Sequence, residues 1–268
     1  MKLLVFIASP FQLIARHHQI LWRTTMVEVR SVYAGSVLGM FWILLGPVLL
    51  LSLYTLVFAV IFRVRPVDMT VSEYVLYVFC GLVPFLAFSM SLTAGALSLS
   101  SHKQVLLNTV FPAELIPLRS VLVASVGLPV GTLILAGGDA IFSSLSVTWL
   151  LVPVVMVLQL MFVVGICWIL SLVALLVRDI QHILYYVTMM LLIITPIAYT
   201  PDMIPPKLKL LMYGNPLFYF VNSYQSLIIL NEVPPLHIIA ITIALSLASL
   251  CIGYMVFRHA KQVFYDFA

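Results

Sequence analysis

Apolar residues form long, nearly unbroken stretches along this chain, and polar residues gather in the short segments between them. A helix needs about 20 consecutive apolar residues to cross the hydrocarbon core of a bilayer. Stretches near or above that length, all without Asp, Glu, Lys or Arg, are 37–62, 74–98, 120–138, 147–177, 183–200 and 237–257. The pattern therefore predicts an all-α integral membrane protein with six transmembrane helices.

The N-terminal segment 1–34 has a different pattern, in which apolar residues alternate with cationic residues and histidines. Leu13, Leu21 and Trp22 are available for one face of a helix. An amphipathic helix with cations on its other face lies along a membrane surface rather than across it. We therefore predict a cytoplasmic amphipathic helix before the first span.

The segment 201–236 is interrupted by six prolines, and its longest apolar piece, 216–230, is shorter than the roughly 20 residues of a span. Asn215 and Pro216 have the residue types expected at an N-cap and at the first helical position. The segment predicts short re-entrant periplasmic helices before the last span. A seventh span would also place the cationic C-terminus on the wrong side of the membrane.

The placement of cations predicts the orientation of the chain, which is 63% hydrophobic and only 8% charged. If both termini are cytoplasmic, nine of the 13 Lys and Arg residues lie inside: Lys2, Arg16, Arg23, Arg30, Lys103, Arg119, Arg178, Arg258 and Lys261. Cytoplasmic loops carry an excess of Lys and Arg. We expect one transmembrane domain, residues 1–268, with a retained N-terminus and with the cytoplasmic loop 99–119 broken by Pro112 and Pro117.

Sites for coupled ion transport or catalysis are not evident. Proton and ion relays use titratable side chains inside the spans, and the predicted spans lack them, with His237 only at the edge of the last one. The sequence contains no phosphate-binding GxxxxGKS or GxxxxGKT run and no HExxH or GxSxG motif. We expect no catalytic residue, metal or cofactor in this chain.

Two aromatic stripes are the most specific pattern within the spans. They comprise Tyr54, Phe58 and Phe62 in the first span and Tyr74, Tyr77, Phe85 and Phe88 in the second. At 3.6 residues per turn each set falls on one helix face. Such a face has two possible roles. It is either structural, with tyrosines at the membrane interface and phenylalanines in helix packing, or functional, as a channel wall on which sugars stack. Arg178, near Asp179 and His182, likewise either binds a lipid phosphate or only follows the positive-inside rule.

Several strings, taken in order, resemble one family. They are RSVYAGSVLGMFWILLGPVLLLSLYTLVF at 30–58, FPAELIPL at 111–118, LVRDIQHI at 176–183, ITPIAYTPDMIP at 194–205 and YGNPLFYFV at 213–221. Together they resemble the permease subunits of polysaccharide-exporting ABC transporters, the type-2 group that includes O-antigen, teichoic-acid and capsule exporters. The likeness covers nearly the whole chain.

The resemblance implies a homodimer in the inner membrane of a bacterium, joined to two cytoplasmic ATPase subunits that hold the ATP and magnesium. The implied substrate is a polyprenyl-pyrophosphate-linked glycan, most specifically O-antigen. Membrane lipids, but no nucleic acid, are the other expected partners. Gln225 departs from the family pattern, which often has an arginine after the tyrosine matched by Tyr224.

The resemblance also implies roles for particular segments. Residues 12–30 resemble a cytoplasmic gate helix, 102–110 a coupling helix that docks on the ATPase, and 203–230 periplasmic gate helices. The gate and lipid-phosphate residues would be Trp22, Arg23, Arg30, Tyr33 and Arg178. The ATPase-coupling residues would be His102, Lys103, Gln104, Leu107 and Asn108. The two aromatic stripes would line the substrate channel.

Two other functions remain compatible with the residues alone. The first is an ABC permease for a drug or a small lipid, which the aromatic stripes also suit. The second is an intramembrane enzyme acting on polyprenyl phosphates, for which Arg178, Asp179 and His182 would be the cytoplasmic cluster. A single aspartate is a poor magnesium site, which weakens the second possibility.

Overall fold

The computed structural model describes residues 2–54, 56–57, 69–102, 112–142, 146–177 and 179–267, and the side chains of all of these except 2–8, 142 and 261–267. This part of the chain is helical and contains no β-strand. Its α-helices are α1 Lys2–Val32, α2 Trp42–Tyr54, α3 Val71–Ser101, α4 Leu115–Ala124, α5 Gly127–Phe142, α6 Val152–Leu176, α7 Ile180–Ile194, α8 Lys209–Gly214, α9 Pro216–Ile228 and α10 Leu236–Phe267. Short 3₁₀ turns join some of them.

Four helical segments of the described chain are long and apolar enough to cross a membrane. They are Val71–Ser101, Leu115–Ile141, Val147–Leu176 and Leu236–Ala260. Each coincides with one predicted span. The predicted first and fifth spans correspond to two shorter apolar helices, Gly39–Tyr54 and Ile180–Ile194. The helical, membrane-spanning class is thus confirmed, whereas the count of six spans stays a prediction.

Helix α7 ends six residues before the predicted end of the fifth span at residue 200. Thr195 is its C-cap with extended backbone, and Pro196 follows. A residue before proline is pushed out of the α region, so the helix stops there. Its 15 residues rise only about 22 Å, less than the roughly 30 Å hydrocarbon core.

The start of α3 is set by a capping box, and it lies three residues before the predicted span. The Thr70 hydroxyl accepts a hydrogen bond from the Glu73 N–H, and the Glu73 carboxylate accepts one from the Thr70 N–H at 2.8 Å. Two otherwise unpaired backbone donors are satisfied in this way. The Thr-x-x-Glu spacing was legible in the sequence as a helix start.

Residues 115–119, at the end of the predicted cytoplasmic loop 99–119, are helical. Helix α4 begins at Leu115, so Pro117 lies in its first turn rather than breaking the chain. Proline is tolerated there because the missing N–H would have no partner in a first turn. A turn at Ser125 then separates α4 from α5, where the sequence predicted one continuous span.

Helix α3 is the central element and packs against α2, α4, α5, α6, α7 and α9. Helices α6 and α10 cross closely. A Cβ atom at Gly165 would overlap the backbone of Ser249, and one at Gly253 would overlap the backbone of Gly165. The Ser249 hydroxyl also donates to the Phe162 carbonyl at 2.7 Å. Small residues and an interhelical hydrogen bond are typical of helix packing in membranes.

The amphipathic character of α1 is confirmed. Leu21, Thr25 and Val29 are buried at four-residue spacing, where one face of a helix meets its neighbours α4 and α10. Trp22 was expected on this apolar face but is 66% exposed, because it lies about 100° around the helix from Leu21. The exposed face of α1 therefore carries Trp22 together with Arg23 and Arg30.

Candidate functional site

Three charged or titratable side chains meet where α1, α3 and α4 come together. Arg119 Nε lies 2.5 Å from Glu28 Oε2. The two groups form an ion pair, but the N–H of Arg119 is not aligned with the carboxylate oxygen as a hydrogen bond requires. His102 Nε2 lies 3.8 Å from Glu28 Oε1. We call these three residues the Glu28 cluster.

The Glu28 cluster is partly shielded from solvent. The side chains of Glu28 and Arg119 are 22% and 13% exposed, so their attraction is less screened than that of a surface pair. His102 is the C-cap of α3 and is followed directly by the predicted coupling segment. The Glu28–Arg119 ion pair joins α1 to α4, the helix that follows that segment.

A cavity of about 860 Å³ lies between α2 and the helices α3, α4 and α5, and its polar end, which we call its mouth, lies beside the Glu28 cluster. We call it the α2–α3 cavity. Its walls are apolar over most of their length, including Leu50, Leu86 and Leu97. Glu28, Ser98, Ser101 and His102 line one end. A volume of this size is within the range of ligand pockets, about 300–1,000 Å³.

The segment between α7 and α10 is held against the helices by buried hydrogen bonds. Asn215 caps α9, because its side-chain oxygen accepts from the Leu217 N–H at 3.0 Å, as the sequence predicted. Asn215 Nδ2 also donates to Thr195 Oγ1 at 2.7 Å. Gln225 Nε2 donates to the Pro196 carbonyl at 3.1 Å. The end of α7 is therefore fixed to both ends of α9.

Loss of the Asn215 side chain is expected to loosen this segment. Asn215→Ala removes the cap of α9 and leaves Thr195 without its donor, at a cost of about 1–3 kcal/mol. Asn215→Asp keeps the cap but not the amide donor and should lose less. Thermal unfolding of detergent-purified protein measures both changes. An Asn215→Ala midpoint equal to that of the unchanged chain would contradict this account of the segment.

The aromatic stripe of the second span lies inside the subunit. Tyr74, Tyr77, Phe85 and Phe88 are each at most 3% exposed. The Tyr74 hydroxyl donates to the Ala198 carbonyl at 2.7 Å. Phe88 stacks on Phe162 with ring centroids 6.2 Å apart. In this arrangement the stripe packs α3 against its neighbours, and a role of these side chains as channel wall stays a prediction.

The other predicted site residues are placed as follows. Tyr54 is half-buried and packs against the core, Trp22, Arg23 and Arg30 are exposed, and Tyr33 and His102 line the α2–α3 cavity. Those outside the described residues are Phe58, Phe62, Lys103, Gln104, Leu107, Asn108 and Arg178. The structure thus places Tyr33 and His102 at one cavity. The aromatic stripe of the second span does not line that cavity.

Asp179 and His182 are the two residues of the enzyme alternative that the structure describes. Asp179 and His182 are exposed at the start of α7. Among the described residues, no three His, Cys, Asp or Glu side chains lie close enough to hold a metal ion together. Glu28 and Arg119 were not singled out as a pair by sequence reasoning. Their only signal was opposite charge in two segments expected on the same side of the membrane.

The model of the ABC-2 type transporter family matches residues 19–229, which is most of the chain and includes α2 to α9. The chain belongs to the ABC-2 type transporter family. It is therefore the membrane-spanning part of a transporter and resembles the permease group inferred from the sequence strings. This family assignment accounts for the apolar helices and for the absence of a nucleotide-binding motif from the sequence.

Curated relatives of this ABC-2 chain match it over most of their length. It is 28% identical over 241 residues to the O-antigen export system permease protein RfbA of Myxococcus xanthus, covering 88% of this chain and 90% of the relative. It is 27% identical over 242 residues to a protein of the same name from Klebsiella pneumoniae, covering 90% and 91%. The relationship therefore includes the helical core and the segment between α7 and α10.

Proposed function

We propose that this chain is the membrane subunit of an ATP-driven exporter of O-antigen polysaccharide. The substrate would be linked to a polyprenyl pyrophosphate and would move from the cytoplasm to the periplasm across the inner membrane. The observation that carries the proposal is the near end-to-end match to relatives named as O-antigen export permeases. Membership of the ABC-2 family supports the transport role itself.

Two copies of the chain would form the pathway, and ATP and magnesium would be held by two separate ATPase subunits. Helix α7 supports a partner on its outer face, because its buried residues are only Ile180, Leu184 and Thr188. Tyr186, Met190 and Ile193 on the rest of the helix are exposed. The channel would then run between the two subunits rather than through the packed core of one.

The Glu28 cluster would transmit movement of the ATPase subunits to the gate helix. In the proposed orientation, both termini and the segment after His102 face the cytoplasm. The ATPase would push on that segment, and the Glu28–Arg119 pair would pass the displacement to α1. Arg23 and Arg30, exposed on the outer face of α1, would meet the lipid pyrophosphate at the entrance.

Co-purification tests the assembly. Affinity-tagged chain, expressed with the ATPase encoded nearest to it, is expected to elute as a complex of two permease and two ATPase subunits. Deletion of the gene is expected to remove surface polysaccharide and to leave polyprenyl-linked polymer inside the cell. If the chain captures no ATPase and the surface polysaccharide is unchanged, the proposal fails.

A further inference from the structure

The α2–α3 cavity has the depth of one leaflet of a bilayer. Helix α3 has 31 residues and is therefore about 46 Å long, so its ends reach the headgroup layers of a membrane whose hydrocarbon core is roughly 30 Å thick. The cavity follows α3 from Val83, near the middle of the helix, to His102 at its end. It thus extends from about mid-membrane to one headgroup layer.

The polarity of the cavity follows the same axis. Val83 and Leu86 line its deep end, and Ser98, Ser101 and His102 line its mouth. Ser89 and Thr93 lie between the two ends, where the Thr93 hydroxyl donates to the Ser89 carbonyl. Tyr33 and Trp42 also lie along its walls, and the Trp42 indole donates to the Ser36 hydroxyl at 3.1 Å. Tyrosine and tryptophan are enriched at the level of lipid headgroups. This gradient fits a molecule with a long apolar chain and a polar head.

At the mouth, the His102 imidazole faces the Glu28 carboxylate. His102 Nδ1 lies 2.9 Å from the Ser98 carbonyl oxygen, which only accepts, so Nδ1 is the donor. In the neutral imidazole, Nε2 is then left as an acceptor. It faces the Glu28 carboxylate across 3.8 Å, too far for a direct hydrogen bond. A donor with several N–H groups and a positive charge would bridge the two.

The charge of the mouth limits the class of head. Glu28 is offset by Arg119, so the pair has no net charge to attract an anion, and the carboxylate is on the cavity side. A polyprenyl phosphate or another anionic lipid would place its charge against Glu28. A quaternary ammonium has no N–H to donate to Glu28 and His102. A zwitterionic head with a primary ammonium can donate to both Glu28 and His102, and it has no net charge, like the Glu28–Arg119 pair.

We propose that the α2–α3 cavity binds a bilayer phospholipid with a primary-amine headgroup of the phosphatidylethanolamine type. One hydrocarbon chain occupies the apolar length of the cavity. The ammonium lies between Glu28 and His102, and the Ser101 hydroxyl donates to the phosphate. This proposal does not depend on which glycan is exported.

Photo-crosslinking tests the proposed lipid. The full-length chain, with any ATPase that accompanies it, is reconstituted in nanodiscs that contain phosphatidylethanolamine with a diazirine in one acyl chain. Parallel samples contain the same label on phosphatidylcholine, on phosphatidylglycerol or on polyprenyl phosphate, and labelled peptides are mapped by mass spectrometry. We expect the ethanolamine lipid to label the cavity walls about tenfold more than the choline lipid, because the choline head has no N–H to donate to Glu28 or His102.

Glycine variants provide a matched control for the cavity. Gly127 lines the cavity, Gly137 does not, both lie on α5, and a Cβ at either meets no atom within 4 Å. Gly127→Leu should reduce cavity labelling about tenfold, because the leucine side chain fills space that the hydrocarbon chain would occupy, whereas Gly137→Leu should not change it. If Gly127→Leu does not fold, Gly46→Leu on α2 replaces it, because Gly46 also lines the cavity and faces open space.

Two charge variants test the headgroup contact separately from the ion pair. Glu28→Gln should abolish the preference for ethanolamine over choline, whereas Arg119→Gln breaks the same ion pair and should retain it. Four outcomes would overturn the proposal: equal labelling by the two lipids, labelling that survives Gly127→Leu and Gly46→Leu, stronger labelling by polyprenyl phosphate, or crosslinks to a second copy of the chain in place of lipid.

Discussion

Gly253→Leu is expected to leave almost no stably folded protein. The glycine packs against the backbone of Gly165 where α10 crosses α6, and an added side chain has no flexible neighbour to displace. Overpacking typically costs about 1–3 kcal/mol, and a clash with backbone should be at or above the upper end of that range. Gly165→Leu should have the same effect, because its Cβ would overlap the backbone of Ser249.

The measurement is the fraction of detergent-extracted protein that elutes as a monodisperse particle, with its thermal unfolding midpoint. Gly137→Leu is the control, since it introduces the same side chain into a membrane helix at a position with open space. It should match the unchanged chain in both quantities. Gly253→Leu protein with an unaltered midpoint would show that α6 and α10 do not cross as described.

Reversal of either charge in the Glu28–Arg119 pair is expected to stop export without stopping assembly. Glu28→Lys places two cations together, and Arg119→Glu two carboxylates, at a site where both side chains are less than a quarter exposed. Breaking a buried pair costs about 3–5 kcal/mol, and partial exposure here reduces that to about 2–3 kcal/mol. The cost would fall on the contact between α1 and α4.

The double variant Glu28→Lys with Arg119→Glu restores opposite charges and should recover at least about half of the export lost in the single variants. Surface polysaccharide on cells measures export, and ATP hydrolysis by the purified complex measures whether the ATPase still turns over. Arg16→Glu is the control, because Arg16 is exposed on α1. Equal loss in the double and single variants would mean that the pair does not couple the two helices.

The positions of the apolar helices were predictable because a span must be apolar over its whole length. The four long helices match predicted spans, and the Asn215 cap was correctly read from Asn-Pro before an apolar run. The end of α7 was missed, although Pro196 signalled it. The length of the apolar stretch suggested a span that reaches residue 200. Pro196 forces Thr195 into extended backbone, so the helix ends earlier.

The functional surfaces were less predictable, because periodicity gives the face of a helix but not its neighbour. The stripe from Tyr74 to Phe88 is one face, as expected, yet it meets other helices of the same chain. Glu28 and Arg119 are 91 positions apart, and no spacing rule links them. Neither Gly165 nor Gly253 has another glycine four positions away in the sequence, so only the helix crossing reveals why they are glycines.

The most direct test of the proposed function is ATP-dependent translocation in inverted membrane vesicles. Polyprenyl-pyrophosphate-linked polysaccharide is added to the outer face of vesicles that contain the chain and its ATPase. The amount of polymer that reaches the lumen, where it is protected from added glycosidase, is measured. Protected polymer is expected only when both the chain and hydrolysable ATP are present. Equal protection without the chain, or without ATP hydrolysis, would contradict the proposed function.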